Sequence, residues 1–443
     1  MAEAGMQLGP YSMGIGDRFG LEGVAQLRAL QAAAEMGVTV TPVWNKSNRE
    51  HAIIGTSPEE TRRAADEAVR SCGWAGPYHV DADHIGMANV EQYLLSSTFF
   101  TIDVADFIGE EAGNNEIESY VEAMAHLKGS LRIPGMAGEI DVTEDLLRGV
   151  AGRYLSAIRE AGRVYRHIEG CKGKGNFVTE ISVDEAELPQ TPEELLFLLG
   201  AIAQEGVPIQ TIAPKFTGSF LKGIDYVGDR EVFAREFRDD LAVLAYARQR
   251  FGLPADLRLS IHSGSDKFSL YPIMHSVARD FSTGFHLKTA GTTWLEEVAG
   301  LAASGGEGLV VAREIYAEAY GRYDEMTGPY RTVVAIDRAK LPDPHEVASW
   351  SAEEYVTALR HDQSSDRFNP HMRQLVHVGF KVAAEMGDRF RSLLRERRDV
   401  IESYVTENIL HKHVEPLFLG RTPGGGPRPR GKPVKKSAPK AAR

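Results

Sequence analysis

The feature that most constrains this chain is an alternation of eight short extended runs with stretches of helical character: Tyr11–Ile15, Val38–Trp44, Tyr78–Asp83, Phe99–Asp103, Phe177–Val183, Ile209–Lys215, Leu257–His262 and Phe285–Thr289. The runs are rich in Val, Ile, Phe and Thr and bounded by Gly, Pro, Asn or Asp, as strands are. Between the first two, Leu21, Val24, Leu27, Leu30 and Ala34 form one helical stripe that Gly37 stops. Ser57-Pro58-Glu59-Glu60 and Thr191-Pro192-Glu193-Glu194 read as a cap, a proline in the first turn and an acidic start. Phe233–Arg250 is amphipathic and ends at Gly252. Strands that alternate with helices pair in parallel through crossovers, and eight such strands can close on themselves. The expected fold is therefore α/β, a (β/α)8 TIM-type barrel. An open doubly wound sheet is less favoured, because Gly14-Ile15-Gly16-Asp17-Arg18-Phe19-Gly20 lacks the glycine spacing of a dinucleotide loop.

The 443 residues exceed a minimal barrel, which needs ~250. The expected division is a barrel over 1–290 with a mostly helical insertion at 109–168, a C-terminal helical extension over 291–420, and a basic tail at 421–443. Helices are expected in the extension at Trp294–Tyr320, Ala352–Asp362 and His371–Leu410. The tail holds eight basic residues and no acidic one, and its Pro, Gly and Lys content predicts disorder. The remaining 420 residues carry 42 basic and 62 acidic groups, a net charge of −20. Such a body repels phosphates, so no specific nucleic-acid partner is expected. No apolar run is long enough to cross a bilayer, and the first residues lack the basic and apolar regions of a signal peptide. Cys72 and Cys171 have neither disulfide-framework nor metal spacing. A soluble cytoplasmic protein is the expectation.

Strand alternation then sorts side chains between the two faces. In Leu257–His262 the residues Leu257, Leu259 and Ile261 share the helix-facing side, which turns His262 toward the barrel axis. The same parity turns His286 and Lys288 inward, along with Asp81 and Asp83, Thr101 and Asp103, and Glu180, Ser182 and Asp184. His84 follows at a turn, and Lys215 ends its run. Barrel interiors are normally filled with branched apolar residues, and barrel chemistry sits at the C-terminal strand ends. A polar set this dense needs partners. It could be satisfied by internal salt bridges to Lys215 or Lys288, or by a metal ion with a polar substrate. Asp17 and Arg18 stand on a tight turn after the first strand. Ser263-Gly264-Ser265-Asp266-Lys267 is a Gly/Ser loop able to bind an anion.

At these positions the chain resembles the tagaturonate epimerase family. The resemblance rests on Gly16-Asp17-Arg18, Asp81-Ala82-Asp83-His84, Phe100-Thr101-Ile102-Asp103, Ser182-Val183-Asp184-Glu185, Lys222-Gly223-Ile224-Asp225-Tyr226, His262-Ser263-Gly264-Ser265-Asp266-Lys267-Phe268, Phe285-His286 and Lys288-Thr289-Ala290-Gly291-Thr292. Arg373-Gln374-Leu375 with His377 also matches. The resemblance implies a metal-dependent epimerase that interconverts D-tagaturonate and D-fructuronate in hexuronate catabolism. It implies Asp83 as proton acceptor, Glu180 as proton donor, and His84, His262 and His286 as ligands of a divalent metal cation. Asp17, Arg18, Lys215, Lys267 and Lys288 are the expected substrate-binding residues, with Lys215 standing where the family pattern has arginine. Nitrogen and oxygen ligands suit Zn, Mn, Ni or Fe. The carbon inverted in that reaction lies two bonds from the ketone, so its C–H bond is not acidified. Two routes remain: retro-aldol cleavage and re-closure, and transient oxidation, which needs a nicotinamide cofactor for which the sequence carries no fingerprint. A metal-dependent aldolase or ketose isomerase acting on a related sugar acid shares the same residue set, and a barrel that binds sugar acids without turnover is a further alternative.

Overall fold

The computed structural model describes Met6, residues 8–290 and residues 293–421. Ten strands occur among them: β1 (Tyr11–Gly16), β2 (Thr41–Asn45), β3 (His79–Ile85), β4 (Phe99–Asp103), β5 (Gly129–Arg132), β6 (Glu139–Val142), β7 (Val178–Ser182), β8 (Thr211–Ala213), β9 (Arg258–His262) and β10 (Phe285–Ala290). Eight of them close a parallel barrel in the order β1-β10-β9-β8-β7-β4-β3-β2. These are the eight extended runs of the sequence. β8 is shorter than its run because Pro214 has no N–H to give the ladder.

The predicted helix starts form as capping boxes. At Thr191 the hydroxyl accepts from the Glu194 N–H at 3.2 Å while the Glu194 carboxylate accepts from the Thr191 N–H at 3.0 Å. The helix that follows the Ser57-Pro58 signal runs Pro58–Cys72. Between β4 and β7 the chain is not all helical: β5 and β6 form an antiparallel hairpin. The helix Glu144–Lys172 then returns along the barrel and packs on β4 and on the helix Pro192–Glu205. After β10 the helix Thr293–Ala303 is buried from Thr293 to Ala302, because helices Gly306–Gly321, Ala352–Leu359 and Arg398–Glu407 cover it. No helix among the described residues is long and apolar enough to cross a membrane. The predicted tail, from 422 onward, lies outside the described residues. Cys72 and Cys171 are both free thiols.

Parity along the strands divides two kinds of core. Val80, Ala82, Ile181, Leu259, Ile261 and Leu287 point outward into the main apolar core shared with the helices. Inside the barrel the apolar filling is a small plug of Leu8, Val43, Phe99 and Val178. Above that plug the interior is polar.

One buried knot ties the barrel to the C-terminal helices. Asp266, in the loop after β9, accepts from Arg373 Nη2 at 2.7 Å, and lies 3.2 Å from His361 Nδ1 and 3.3 Å from His413 Nε2. Arg373 also donates to the carbonyls of Gly223 (2.7 Å) and Leu359 (2.9 Å). Burial alone would raise the Asp266 carboxyl, but Arg373 and the two histidines hold it well below the usual carboxylate range. Removing one partner of a fully buried pair leaves an uncompensated charge, at a cost of ~3–5 kcal/mol. Asp266→Asn should therefore lower the unfolding free energy by about that amount in denaturant titrations at pH 7. A depressed folded-state pKa contributes stability that is present above the unfolded value and lost as pH falls through the folded one. The gap between wild type and variant should accordingly shrink below about pH 4; a gap independent of pH would remove the charge from the explanation.

Candidate active site

The C-terminal mouth of the barrel opens into a cavity of about 1140 Å3. β3 supplies two adjacent side chains to it through a bulge. Ala82 pairs with Phe100 and Ile85 with Ile102, so Asp83 and His84 together oppose Thr101. His84 takes a φ of 52°, a left-handed conformation that is costly for a residue with a Cβ. The bulge lets both residues reach the mouth, where strict alternation would have sent one of them to the helices.

Beneath them sits Lys288 on β10, only 2% exposed. Its ammonium lies 3.0 Å from Asp81, 2.9 Å from Asp83 and 3.6 Å from Glu180, and it donates to the Thr101 hydroxyl. Thr101 in turn donates to Asp81 at 3.0 Å and approaches Glu180 at 3.2 Å. Burial works against the ammonium, yet the three carboxylates hold it above the ordinary lysine range. Burial likewise pushes Asp81 up. Asp83 and Glu180 go the other way: burial would raise both, but Lys288, with His84 beside Asp83 and His262 beside Glu180, holds each below its usual value. Both are therefore carboxylates at neutral pH.

His262, at the end of β9, bridges two acids: Nε2 is 2.9 Å from Glu180 and Nδ1 is 3.0 Å from Asp184. Burial would lower it, but Asp184 and Glu180 push it up to about 10. His84 Nδ1 is 2.7 Å from Asp103, and its ring meets His262 edge-on with centroids 5.2 Å apart. Burial opposes the charged form of His84, and the Asp103 hydrogen bond outweighs it. Two groups here have donor atoms close enough together to converge on one cation: His84, Asp184 and His262, and His84, Asp103 and Glu185. The donor set fits a divalent ion, since imidazole and carboxylate are its common ligands. The charge balance of the cluster fits as well, since Asp81, Asp83, Asp103, Glu180, Asp184 and Glu185 outnumber Lys288 and the two histidines.

The other expected site residues fall in different places. His286 lies on β10 two positions before Lys288 and so a layer deeper. Its Nδ1 bonds Ser12 at 2.8 Å, its ring packs on Phe99 with centroids 5.2 Å apart, and burial pushes it down to about 3. It belongs to neither convergent group. Asp17 caps the following turn, its carboxylate accepting from the N–H groups of Gly20 (2.7 Å) and Glu22 (2.8 Å). Lys267 is buried and donates to the carbonyls of Leu221 (3.0 Å) and Ile224 (2.9 Å), beneath the cavity wall and outside its lining. Arg18 and Lys215 do line the cavity. Lys288 lines its floor and serves the carboxylates as their ion-pair partner.

Asp103, Asp184 and Glu185 join the site at strand ends that parity had already turned inward or left at the adjoining turn. Lys222 and His377 also line the cavity, from a loop and from the helix Pro370–Val378. Their sequence signals were the Lys222-Gly223-Ile224-Asp225-Tyr226 block and the match around Arg373, neither of which periodicity could aim at the barrel mouth.

Comparison with known proteins agrees with this architecture. A family model described as UxaE, tagaturonate epimerase, matches residues 4–417. The tagaturonate/fructuronate epimerase of Thermotoga maritima is 28% identical over 420 residues, covering 92% of this chain and 80% of that protein. The glycerol-bound crystal structure of fructuronate-tagaturonate epimerase UxaE from Cohnella laeviribosi, in its one-glycerol form, superposes with a TM-score of 0.76 at 27% identity, covering 93% of this chain and 82% of that one. The native form of the same enzyme gives 0.73 at 27% identity, with the same shares of the two chains covered. The chain belongs to the tagaturonate epimerase family, and with it to the sugar-acid isomerases.

Proposed function

We propose that this enzyme interconverts D-tagaturonate and D-fructuronate with the help of a divalent metal ion. The observation that carries the reading is the arrangement at the mouth. Asp83 lies on one side of the His84–His262 pair and Asp184 on the other, all of them facing a cavity large enough for a hexuronate. His84, His262 and Asp184 are the residues that would hold the ion. When bound, it would polarise the ketone and adjoining hydroxyl as a Lewis acid.

The chain's own groups handle the proton. Asp83, ionised beside Lys288, accepts the proton of the hydroxyl on the carbon to be inverted. The bond between that carbon and the carbon next to the ketone breaks, its electron pair passing to the ketone side as an enolate. The aldehyde fragment turns over, the same bond re-forms on the other face, and the new alkoxide is protonated. That proton is drawn from water in the cavity, to which Asp83 returns the one it accepted, while Glu180, 2.9 Å from His262 Nε2, keeps a proton on that ring nitrogen and so leaves Nδ1 to the ion. Glu180 does not line the cavity, so it acts through the His262 ring and fixes that ring's orientation as a carboxylate behind a metal-binding imidazole does. An aldolase reading uses the same bond cleavage but releases both fragments.

Asp83→Asn and Glu180→Gln should each reduce turnover ~10²-fold or more in steady-state assays, with an unchanged circular dichroism spectrum. A wild-type rate in Asp83→Asn would exclude Asp83 as the proton acceptor, and one in Glu180→Gln would exclude Glu180 as the group that orients His262. His84→Ala and His262→Ala should lose bound metal by elemental analysis, and chelation of the wild type should abolish activity that added metal restores. Retained metal and activity in His262→Ala would remove that residue from the ligand set. Run in D2O, the reaction should invert the carbon without taking up deuterium there; solvent deuterium at that carbon would replace bond cleavage with direct deprotonation.

A further inference from the structure

Away from the histidine cluster, four cationic side chains line the cavity: Arg18, Arg49, Lys215 and Lys222. Three already have partners. Arg18 pairs with Glu50 at 2.7 Å, donates to the His377 carbonyl at 3.1 Å and stacks on Phe380 at 4.2 Å. Arg49 donates to the Pro329 carbonyl at 3.0 Å and lies over Tyr330. The Lys215 ammonium donates to the Ala186 carbonyl.

Lys222 is built differently. Its backbone is held at both ends: its N–H donates to Val333 O at 2.8 Å and its carbonyl accepts from Gln374 Nε2 at 3.0 Å. The next residue, Gly223, donates to Ser265 Oγ at 2.9 Å and accepts from Arg373 Nε at 2.7 Å. Gly223 takes a φ of 78° and lies against the Gln374 backbone, where a Cβ would sit 3.6 Å from its Cα. The loop is therefore fixed, while the Lys222 ammonium, half-buried in the cavity, makes no hydrogen bond or ion pair of its own among the described residues. Burial holds that ammonium below the usual lysine range; Glu50 opposes this, and Arg18 adds to it. A rigidly presented, partly desolvated and unneutralised cation is complementary to an anion of the substrate.

We propose that Lys222 is the specificity-determining residue that holds the substrate's carboxylate, turning the reacting carbons toward Asp83 and the His84–His262 pair. This rests on the reading of the substrate as a hexuronate. It assigns the charge recognition to a loop clamped by the C-terminal helices, and leaves Lys215, at the strand end, a lesser part.

The test uses the full-length, metal-loaded protein. Lys222→Met should raise KM for D-fructuronate roughly 10- to 100-fold with a smaller fall in kcat, since a charge-assisted contact to the carboxylate is made in the ground state and in the transition state alike. Lys222→Arg should recover part of that loss, and Lys215→Met should move KM less than Lys222→Met does. In calorimetry the wild type should bind D-gluconate more tightly than the neutral D-glucitol, and Lys222→Met should erase the difference. An unchanged KM and an unchanged preference for gluconate in Lys222→Met would overturn the assignment, as would a Lys215→Met variant that carries the whole effect instead. A wild type that does not epimerise D-fructuronate would sink the functional reading alone, and the gluconate preference would still decide the role of Lys222.

Discussion

A single buried ammonium organises the interior of this barrel. Three carboxylates gathered in a dry space repel one another and would take up protons until most of the charge was gone. Lys288, within 3.6 Å of Asp81, Asp83 and Glu180, is what lets Asp83 and Glu180 stay ionised there. One positive charge does not balance the set. Part of the remainder comes from His262, poised between Glu180 and Asp184. The acids of this cluster outnumber its cations, and the proposed divalent ion would offset that excess without adding a proton.

The C-terminal helices do more than cover the barrel. Arg373 reaches through Asp266 to the loop after β9 and through the Gly223 carbonyl to the loop that carries Lys222. His377, four residues on in the same helix, contacts Arg18 at 3.2 Å. One helix therefore sets the position of two cationic walls of the cavity. The pairing energy that anchors the extension and the geometry that shapes the substrate pocket are the same contacts.

Much of this was legible in the sequence, for a physical reason. Period-two alternation is a property of the chain itself, so His262, Lys288, Asp81 and Glu180 could be turned inward from parity alone. What alternation cannot register is a departure from it. His84 reaches the mouth only because β3 carries an extra residue, and the strand pattern gave no sign of the bulge. The four-residue strands β5 and β6 were too short for their alternation to stand out within a helical stretch. Parity also fixes a face but not a depth, which is why His286, inward-pointing but one layer lower, was grouped with histidines that it does not meet. Lys267 and Asp17 lie in motifs beside the site; the Asp17 side chain turns to the backbone of its own turn, and that of Lys267 to the carbonyls of the loop that carries Lys222. The cavity wall built by Lys222 and His377 depends on contacts between segments about 150 residues apart, and no local pattern encodes these.

The division of the strands into an apolar outside and a charged inside has an evolutionary corollary. Cohesion and chemistry are carried by alternate residues of the same short segments. Gaining or losing one residue within a strand would exchange the two sets, setting Leu259 and Ile261 against the substrate and His262 against the helices. Substitutions in these strands can be graded in their effect, but changes of length cannot. Growth of the chain is therefore confined to its connections, such as the excursion that carries β5 and β6. Two strands have absorbed an additional residue, β10 opposite Gly14 and β3 opposite Thr101, and in β3 the strained backbone of His84 is the trace of it.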